Sequence, residues 1–428
     1  MKDNAFLGFL AALIVATALT PPVAAFARRI GAVDGMMERG LAREATPLLG
    51  GLAIFAGVLA GALAFVPGST AMRGILAGAA LITAVGAIDD WRDLSPAAKL
   101  AGQVAAALVL VESGVSVDNV TLPFVHRVDF GPAGGILTVL GIVALMNVVN
   151  FSDGVDGLAA GVCAVSSAAF AVIAFDLGRD GAGILAGVTC GAALGFLVHN
   201  FHPASVFMGD CGSNLLGLLL GAIIIEGSLK TNALVALIVP LVVLAVPFLD
   251  TGFVVAKRIK YRRPVYQGDS NHFHHRFHRI GFSQRRTVLY LYGWTITMAA
   301  LAVAVRFIPY TDDRGNWNLG WSLVLASCFA AALAASVYLV LVLEILKLRR
   351  LRGWQLRRAD PAATDDEVDS EVERELETGE FRALGGQRAG GGLEPDGVAN
   401  RTCDGAAVAG TVARPQPDAL RRGGEQTG

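Results

Sequence analysis

Three short stretches of this chain place carboxylates and carboxamides close together among small residues. In Gly86-Ala87-Ile88-Asp89-Asp90-Trp91-Arg92 two aspartates are adjacent. Neighbouring carboxylates repel unless a cation or a proton donor stands between them, and that repulsion can raise one pKa far enough to make a base; a solvated turn is the plainer reading. In Asn147-Val-Val-Asn150-Phe-Ser-Asp153-Gly-Val-Asp156-Gly the four polar residues recur every third position, so a helix or tight turn gives them one face. Such a face offers only hard oxygen ligands, which suits Mg²⁺ or Mn²⁺ holding phosphates, and stacked helix caps are the alternative. In Met208-Gly209-Asp210-Cys211-Gly212-Ser213 small residues let backbone N–H groups and a helix N-terminus approach an anion while Asp210 holds the shielding cation. Asp210 equally suits an N-cap.

A fourth stretch is basic and rich in imidazole: Asp269-Ser-Asn-His272-Phe-His274-His275-Arg276-Phe-His278-Arg279. It lacks the H-E-x-x-H spacing of a zinc site. Imidazoles beside a fork-shaped Arg276 suit a diphosphate. A loop serving only to bind anionic lipid explains Lys257 to Arg263 but not four histidines in seven residues. Ser95-Pro96 reads as an N-cap followed by Pro at N1, which puts Lys99 in the first turn of a helix. Asp250 lies seven residues before Lys257, so a helix buries it about 10 Å below the basic edge, either as a site residue or as a helix-to-helix bond. His199, His202 and Cys211 carry no signal of their own.

The elements that must position these groups are membrane helices. Of 428 residues 54% are hydrophobic and a further 51 are glycine, a composition that excludes an ordinary soluble enzyme. Apolar stretches of membrane-crossing length lie near 5–27, 48–66, 71–89, 97–114, 133–150, 157–175, 182–200, 211–227, 232–256, 287–308 and 319–346. The expected fold is therefore an all-α polytopic membrane protein of about eleven transmembrane helices with its active-site loops in the cytoplasm. The first stretch lacks a signal peptide's short core and cleavage site and is expected to remain as a helix. Residues 1–358 form the transmembrane part; residues 359–428, acidic and then Gly-rich, read as a disordered cytoplasmic tail with room for a short helix over 365–377. Odd-numbered loops and the stretch after the last span hold 21 Lys and Arg against 7 on the opposite side, so the N-terminus is expected outside and the four clusters inside. A net charge of -1 gives no field for nucleic acid. Five scattered cysteines with no C-x-x-C pair indicate neither a disulfide framework nor zinc.

Asp89-Asp90, Asn150-x-x-Asp153-Gly-x-Asp156-Gly, Met208-Gly-Asp210-x-Gly-Ser213 and His272-x-His274-His275-Arg276, in that order, resemble the polyprenyl-phosphate N-acetylhexosamine-1-phosphate transferases over residues 1–346. The His-x-His-His-Arg form is more similar to the bacterial UDP-N-acetylglucosamine branch than to the phospho-N-acetylmuramoyl-pentapeptide branch, whose motif has three consecutive histidines. The resemblance implies transfer of a sugar 1-phosphate from a UDP-sugar to a polyprenyl (undecaprenyl or decaprenyl) phosphate in a bacterial inner membrane, with release of UMP. It implies Asn150 and Asp210 as ligands of Mg²⁺ or Mn²⁺, and Asp89 or Asp90 as the group that deprotonates or orients the lipid phosphate. Asp153 and Asp156 join that catalytic set, and Lys99, Asn147, His272, His274, His275 and Arg276 bind substrate. A homodimer is left open. The sequence departs from the family before Pro47-Leu-Leu-Gly50-Gly51, where Met36, Gly40 and Ala42 fill its usual Pro, Lys and His positions. The rival class, a secondary transporter, fits less well because the acids gather at one side instead of at mid-membrane.

Overall fold

The computed structural model describes residues 2–34, 45–117, 119–122, 126–131, 133–229, 244, 248, 284–307, 318–360 and 364–378. The helices are α1 (Lys2–Ile30), α2 (Gly50–Phe65), α3 (Thr70–Arg92), α4 (Pro96–Glu112), α5 (Ala133–Ser152), α6 (Leu158–Asp176), α7 (Asp180–Asn200), α8 (Gly209–Ile224, running on into a π-helical turn over Ile225–Leu229), α9 (Gln284–Phe307), α10 (Leu319–Ala359) and α11 (Asp365–Thr378). Two short antiparallel hairpins, β1 (Val33–Asp34) with β2 (Thr46–Pro47) and β3 (Asn119–Leu122) with β4 (His126–Asp129), lie between helices. The sequence reading did not anticipate them, because strands this short leave no alternation visible beside long apolar runs.

The chain is an all-α polytopic membrane protein. Among the described residues, helices occupy ten of the eleven expected stretches, and the stretch 232–256 lies outside them. Seven helical segments among the described residues are long and apolar enough to cross a membrane: Asp3–Ile30, Thr70–Arg92, Ala133–Ser152, Leu158–Asp176, Asp180–Asn200, Gly209–Gly227 and Gln284–Ala304. Two of the remaining helices are shorter. α2 has 16 residues and α4 has 17, so at 1.5 Å per residue they reach about 24–26 Å, less than the ~30 Å of hydrocarbon.

Local sequence sets the helix starts. The Ser69 Oγ accepts the Met72 N–H at 3.0 Å to open α3, and the Ser95 Oγ accepts the Ala98 N–H at 3.3 Å to open α4, with Pro96 in the first turn as expected. The centre of the bundle is α8, in which every residue from Cys211 to Ile224 is buried. It packs against α3 and α5 through glycines. A Cβ at Gly86 would run into the backbone of Cys211, and one at Gly217 would lie 2.5 Å from Cα of Met146. Without side chains at these points the helix backbones approach as closely as membrane packing favours.

The chain divides into two units, Met1–Trp354 and Gln355–Gly428. In the second unit α11 covers the short helix expected over 365–377; the N–H and the hydroxyl of Thr364 both donate to Glu367 Oε2 at 2.9 Å at its start. The expectation of disorder after it falls on residues outside those described.

Candidate active site

The start of α8 is capped by another helix. No side chain of its own flank caps it, yet the Asp90 carboxylate at the end of α3 accepts the Asp210 N–H on Oδ1 at 2.7 Å and the Cys211 N–H on Oδ2 at 3.2 Å. A carboxylate there satisfies two orphan donors and meets the positive end of the helix dipole. Gly209 holds φ at +68°, and a Cβ on it would collide with that carboxylate. The approach of Gly86, one turn before Asp90, brings α3 close enough to do this. From the other side, the Pro47-to-Gly51 turn binds the segment ahead of α8: Phe207 N–H donates to Pro47 O at 2.9 Å, Gly50 N–H to Phe207 O at 3.0 Å and Gly51 N–H to Met208 O at 3.0 Å. Asp210 is therefore not the cap that its position in the sequence also allowed.

With its backbone held, the Asp210 side chain faces a cation and an amide. Lys99 Nζ lies 2.7 Å from Asp210 Oδ2 and 2.6 Å from Asp89 Oδ2, bridging the two carboxylates. Asp89 also accepts the Leu94 N–H on Oδ1 at 2.7 Å. Asn150 donates through Nδ2 to Asp210 Oδ1 at 2.8 Å and to Ser213 Oγ at 3.0 Å. One turn deeper, Gln103 Nε2 donates to Asn214 Oδ1 at 2.7 Å, Gln103 Oε1 accepts from Asn147 Nδ2 at 3.0 Å, and Asn214 Nδ2 donates to Asp210 O at 2.8 Å.

The loop after α5 supplies the remaining acids. α5 ends at Ser152, so Asp153 and Asp156 stand in the turn closed by Gly157 (φ +81°), not on the helix face shared by Asn147 and Asn150. Asp156 Oδ2 lies 2.6 Å from His202 Nδ1 and accepts the Ala204 N–H at 3.2 Å. Asn200 ties the two loops by accepting the Gly157 N–H at 3.0 Å and donating to Val206 O at 2.9 Å. Among the described residues the Asp153 carboxylate has neither a hydrogen-bond partner nor a counter-ion. Burial, followed by repulsion from Asp210, Asp90 and Asp156, holds its carboxyl well above the usual carboxylate range.

Asp89, Asp90, Lys99, Asn147, Asn150, Asp153, Asp156 and Asp210, drawn from four separated stretches, thus gather at one end of the bundle. His272, His274, His275, Arg276 and Asp250 lie outside the described residues. Sequence reasoning missed Gln103, Asn214, Asn200 and His202. Gln103 follows Lys99 by four positions and Asn214 follows Asp210 by four, a helical repeat that was available as a signal. His202 was set aside, yet its ring meets Asp156; His199, also set aside, reaches Thr17 O at 3.1 Å within the bundle.

One oxygen from each of Asp89, Asp90 and Asp210 falls within 4.8 Å of the others. These donors are all hard oxygens, and Asp153 brings a further carboxylate with no counter-ion among the described residues. Such a donor set fits a small divalent cation. Turning the Asn150 amide over would place its carbonyl oxygen beside Asp210 Oδ1, giving two oxygens side by side; the two amide orientations differ only in which atom is nitrogen.

Residues 72–228, which carry all of these described groups except those of the Pro47 turn, match the family model for glycosyl transferase family 4. The chain is 38% identical over 299 residues to a probable undecaprenyl-phosphate N-acetylglucosaminyl 1-phosphate transferase of Bacillus subtilis, a match covering 69% of this chain and 84% of that protein. It is 37% identical over 341 residues to the decaprenyl-phosphate N-acetylglucosaminephosphotransferase of Mycobacterium tuberculosis, covering 72% and 84%. A phospho-N-acetylmuramoyl-pentapeptide-transferase of Moorella thermoacetica is 33% identical over 309 residues, covering 67% and 94%. Identity on this scale, sustained over most of each relative's length, means that the chain belongs to glycosyl transferase family 4.

Proposed function

We propose that the protein transfers N-acetylglucosamine 1-phosphate from UDP-N-acetylglucosamine to a polyprenyl phosphate, beginning the assembly of a cell-envelope glycan. An oxygen of the lipid phosphate attacks the phosphorus that carries the sugar. The bond from that phosphorus to the bridging oxygen breaks, UMP leaves, and a polyprenyl diphosphate sugar remains. The observation that carries this reading is the convergence of Asp89, Asp210 and Lys99 at the capped start of α8. Joining two anionic phosphates needs alignment and charge neutralisation more than covalent help from the protein.

The residues then take different parts. Asp90 holds α8 in place, Lys99 offers positive charge to phosphate, and Asp153, whose carboxylate has no partner among the described residues, takes up a proton from or orients the acceptor phosphate. Asp156, turned by His202, faces the donor with the His272, His274, His275 and Arg276 loop. Asn150 and Asp210 would hold Mg²⁺ or Mn²⁺, which when bound supplies charge neutralisation for the diphosphate. The site faces the cytoplasm of a bacterial inner membrane, in keeping with the Lys and Arg distribution and with where a UDP-sugar is available. Mass spectrometry of the lipid formed from a panel of UDP-sugars tests the reading. A polyprenyl diphosphate N-acetylglucosamine is expected; a product formed only from the UDP-N-acetylmuramoyl-pentapeptide would transfer the chain to the branch represented by the Moorella relative.

A further inference from the structure

Helices α4 and α8 meet through two polar rungs one turn apart. The first joins Lys99 to Asp210 at 2.7 Å, and the second joins Gln103 to Asn214 at 2.7 Å. α5 adds a group to each, Asn150 to the first and Asn147 to the second. The second rung runs in one direction only. Asn214 Nδ2 is turned to Asp210 O, an acceptor that its oxygen could not face, so the oxygen is the atom that meets Gln103. Gln103 must therefore donate to Asn214 and accept from Asn147, whose Nδ2 also bonds Val143 O at 2.8 Å. Gln103 and Asn214 are 6% and 5% exposed, so neither has water to turn to. Among buried polar groups an alternative arrangement would leave donors unpaired.

The two rungs differ in stiffness. A lysine on a flexible four-carbon stem fixes the helix register only loosely, whereas the short amides of the second rung tolerate little displacement. We infer that Gln103 is a positioning residue for the transfer reaction, setting the register of α4 against α8 and thereby keeping the Lys99 ammonium between Asp89 and Asp210. The inference rests on the transferase reading for its effect on turnover, while the placement of Lys99 can be measured without turnover.

The test uses the full-length protein in detergent with saturating lipid phosphate, and Gln103→Met, which keeps the shape of the side chain but loses the amide. Two quantities are read. The first is kcat and KM for UDP-N-acetylglucosamine; the second is the rate at which an amine-reactive ester modifies Lys99, followed by peptide mass spectrometry. The expected result is a 10- to 100-fold fall in kcat with KM changed less than threefold, and Lys99 modified several-fold faster than in the parent protein. Asn214→Ala breaks the same rung from the other side and should match on both readouts, so that poor folding of one variant leaves the other to decide. An unchanged Lys99 labelling rate overturns the inference even if kcat falls, because Gln103 would then act by another route. Faster labelling with kcat within twofold of the parent overturns it as well, because register would not matter to turnover. If the parent protein forms no lipid diphosphate sugar, the transferase reading fails, and the labelling arm still decides whether Gln103 holds Lys99.

Discussion

The Asp90 carboxylate of α3 reaches across to the first turn of α8 and accepts the backbone N–H of Asp210 at 2.7 Å, whereas its neighbour Asp89 turns to Lys99. Two adjacent acids are thereby given different work. Asp90→Ala leaves two N–H groups at the start of α8 without a partner, a loss of about 1–3 kcal/mol, and should lower the unfolding midpoint by several degrees. Asp90→Asn keeps an acceptor and should lose less. Asp89→Asn should leave the midpoint near that of the parent while turnover falls by tenfold or more. Paired thermal unfolding and activity measurements check this, and equal stability losses at the two positions would contradict it.

The hard oxygens of Asp89, Asp90 and Asp210 should make the proposed chemistry dependent on a divalent ion. Chelation should abolish turnover, and either Mg²⁺ or Mn²⁺ should restore it. Asp210→Asn should lower the rate on the order of 10²-fold or more at saturating Mg²⁺, the scale of deleting one preorganised electrostatic group. Near-normal turnover by Asp210→Asn, or by the parent in excess chelator, would remove the metal from the mechanism.

The raised carboxyl of Asp153 has a stability consequence of definite sign. A carboxylate whose folded pKa lies above its unfolded value binds protons more tightly when folded, so stability falls as pH rises from the unfolded pKa near ~4 towards the folded one. Asp153→Asn abolishes that penalty. In metal-free buffer the variant should unfold at a higher temperature than the parent at pH 7, with the gap closing below about pH 4. Its turnover should fall on the order of 10²-fold or more, as for loss of a general base. A variant less stable than its parent at pH 7 would show that Asp153 is not the strained group.

The proposed orientation can be read from intact cells. Cysteines replacing Arg73 or Arg179 should react with an impermeant external reagent, and a cysteine replacing Gly268 should be protected. Labelling at position 268 as fast as at 73 would reverse the topology.

Much of the site was legible because its signals are local. Ser95-Pro96 announces a helix start within two residues, and Asp89-Asp90 and Met208 to Ser213 mark helix ends by charge set against an apolar background. What was not legible depends on which helix faces which. Nothing near Asp90 in the sequence says that it caps a helix 120 residues later. Gln103 sits in an Ala-, Gly- and Val-rich run where one amide looks incidental, and it gains meaning only when α8 lies alongside. The three-residue spacing from Asn147 to Asp156 suggested a single face, but the helix ends at Ser152, so the last two acids follow loop geometry instead. The ends of α2 and α4 were less legible, since an apolar run in sequence gives no notice of the turn that ends a helix.

The Asp90 cap also dictates an order of events during biosynthesis. At about 5–20 residues per second, the 120 residues between Asp90 and Asp210 take roughly 6–24 s to make. Asp89 can find Lys99 within its own helical hairpin at once, but Asp90 has no lasting partner until α8 emerges. In that interval the nascent α3 must keep this acid at the aqueous edge of the bilayer, because a bare carboxylate is costly inside hydrocarbon. A chain stalled before Gly209 would therefore carry an inserted but unfinished scaffold, and the arrival of a single late helix would complete its acid cluster in one step.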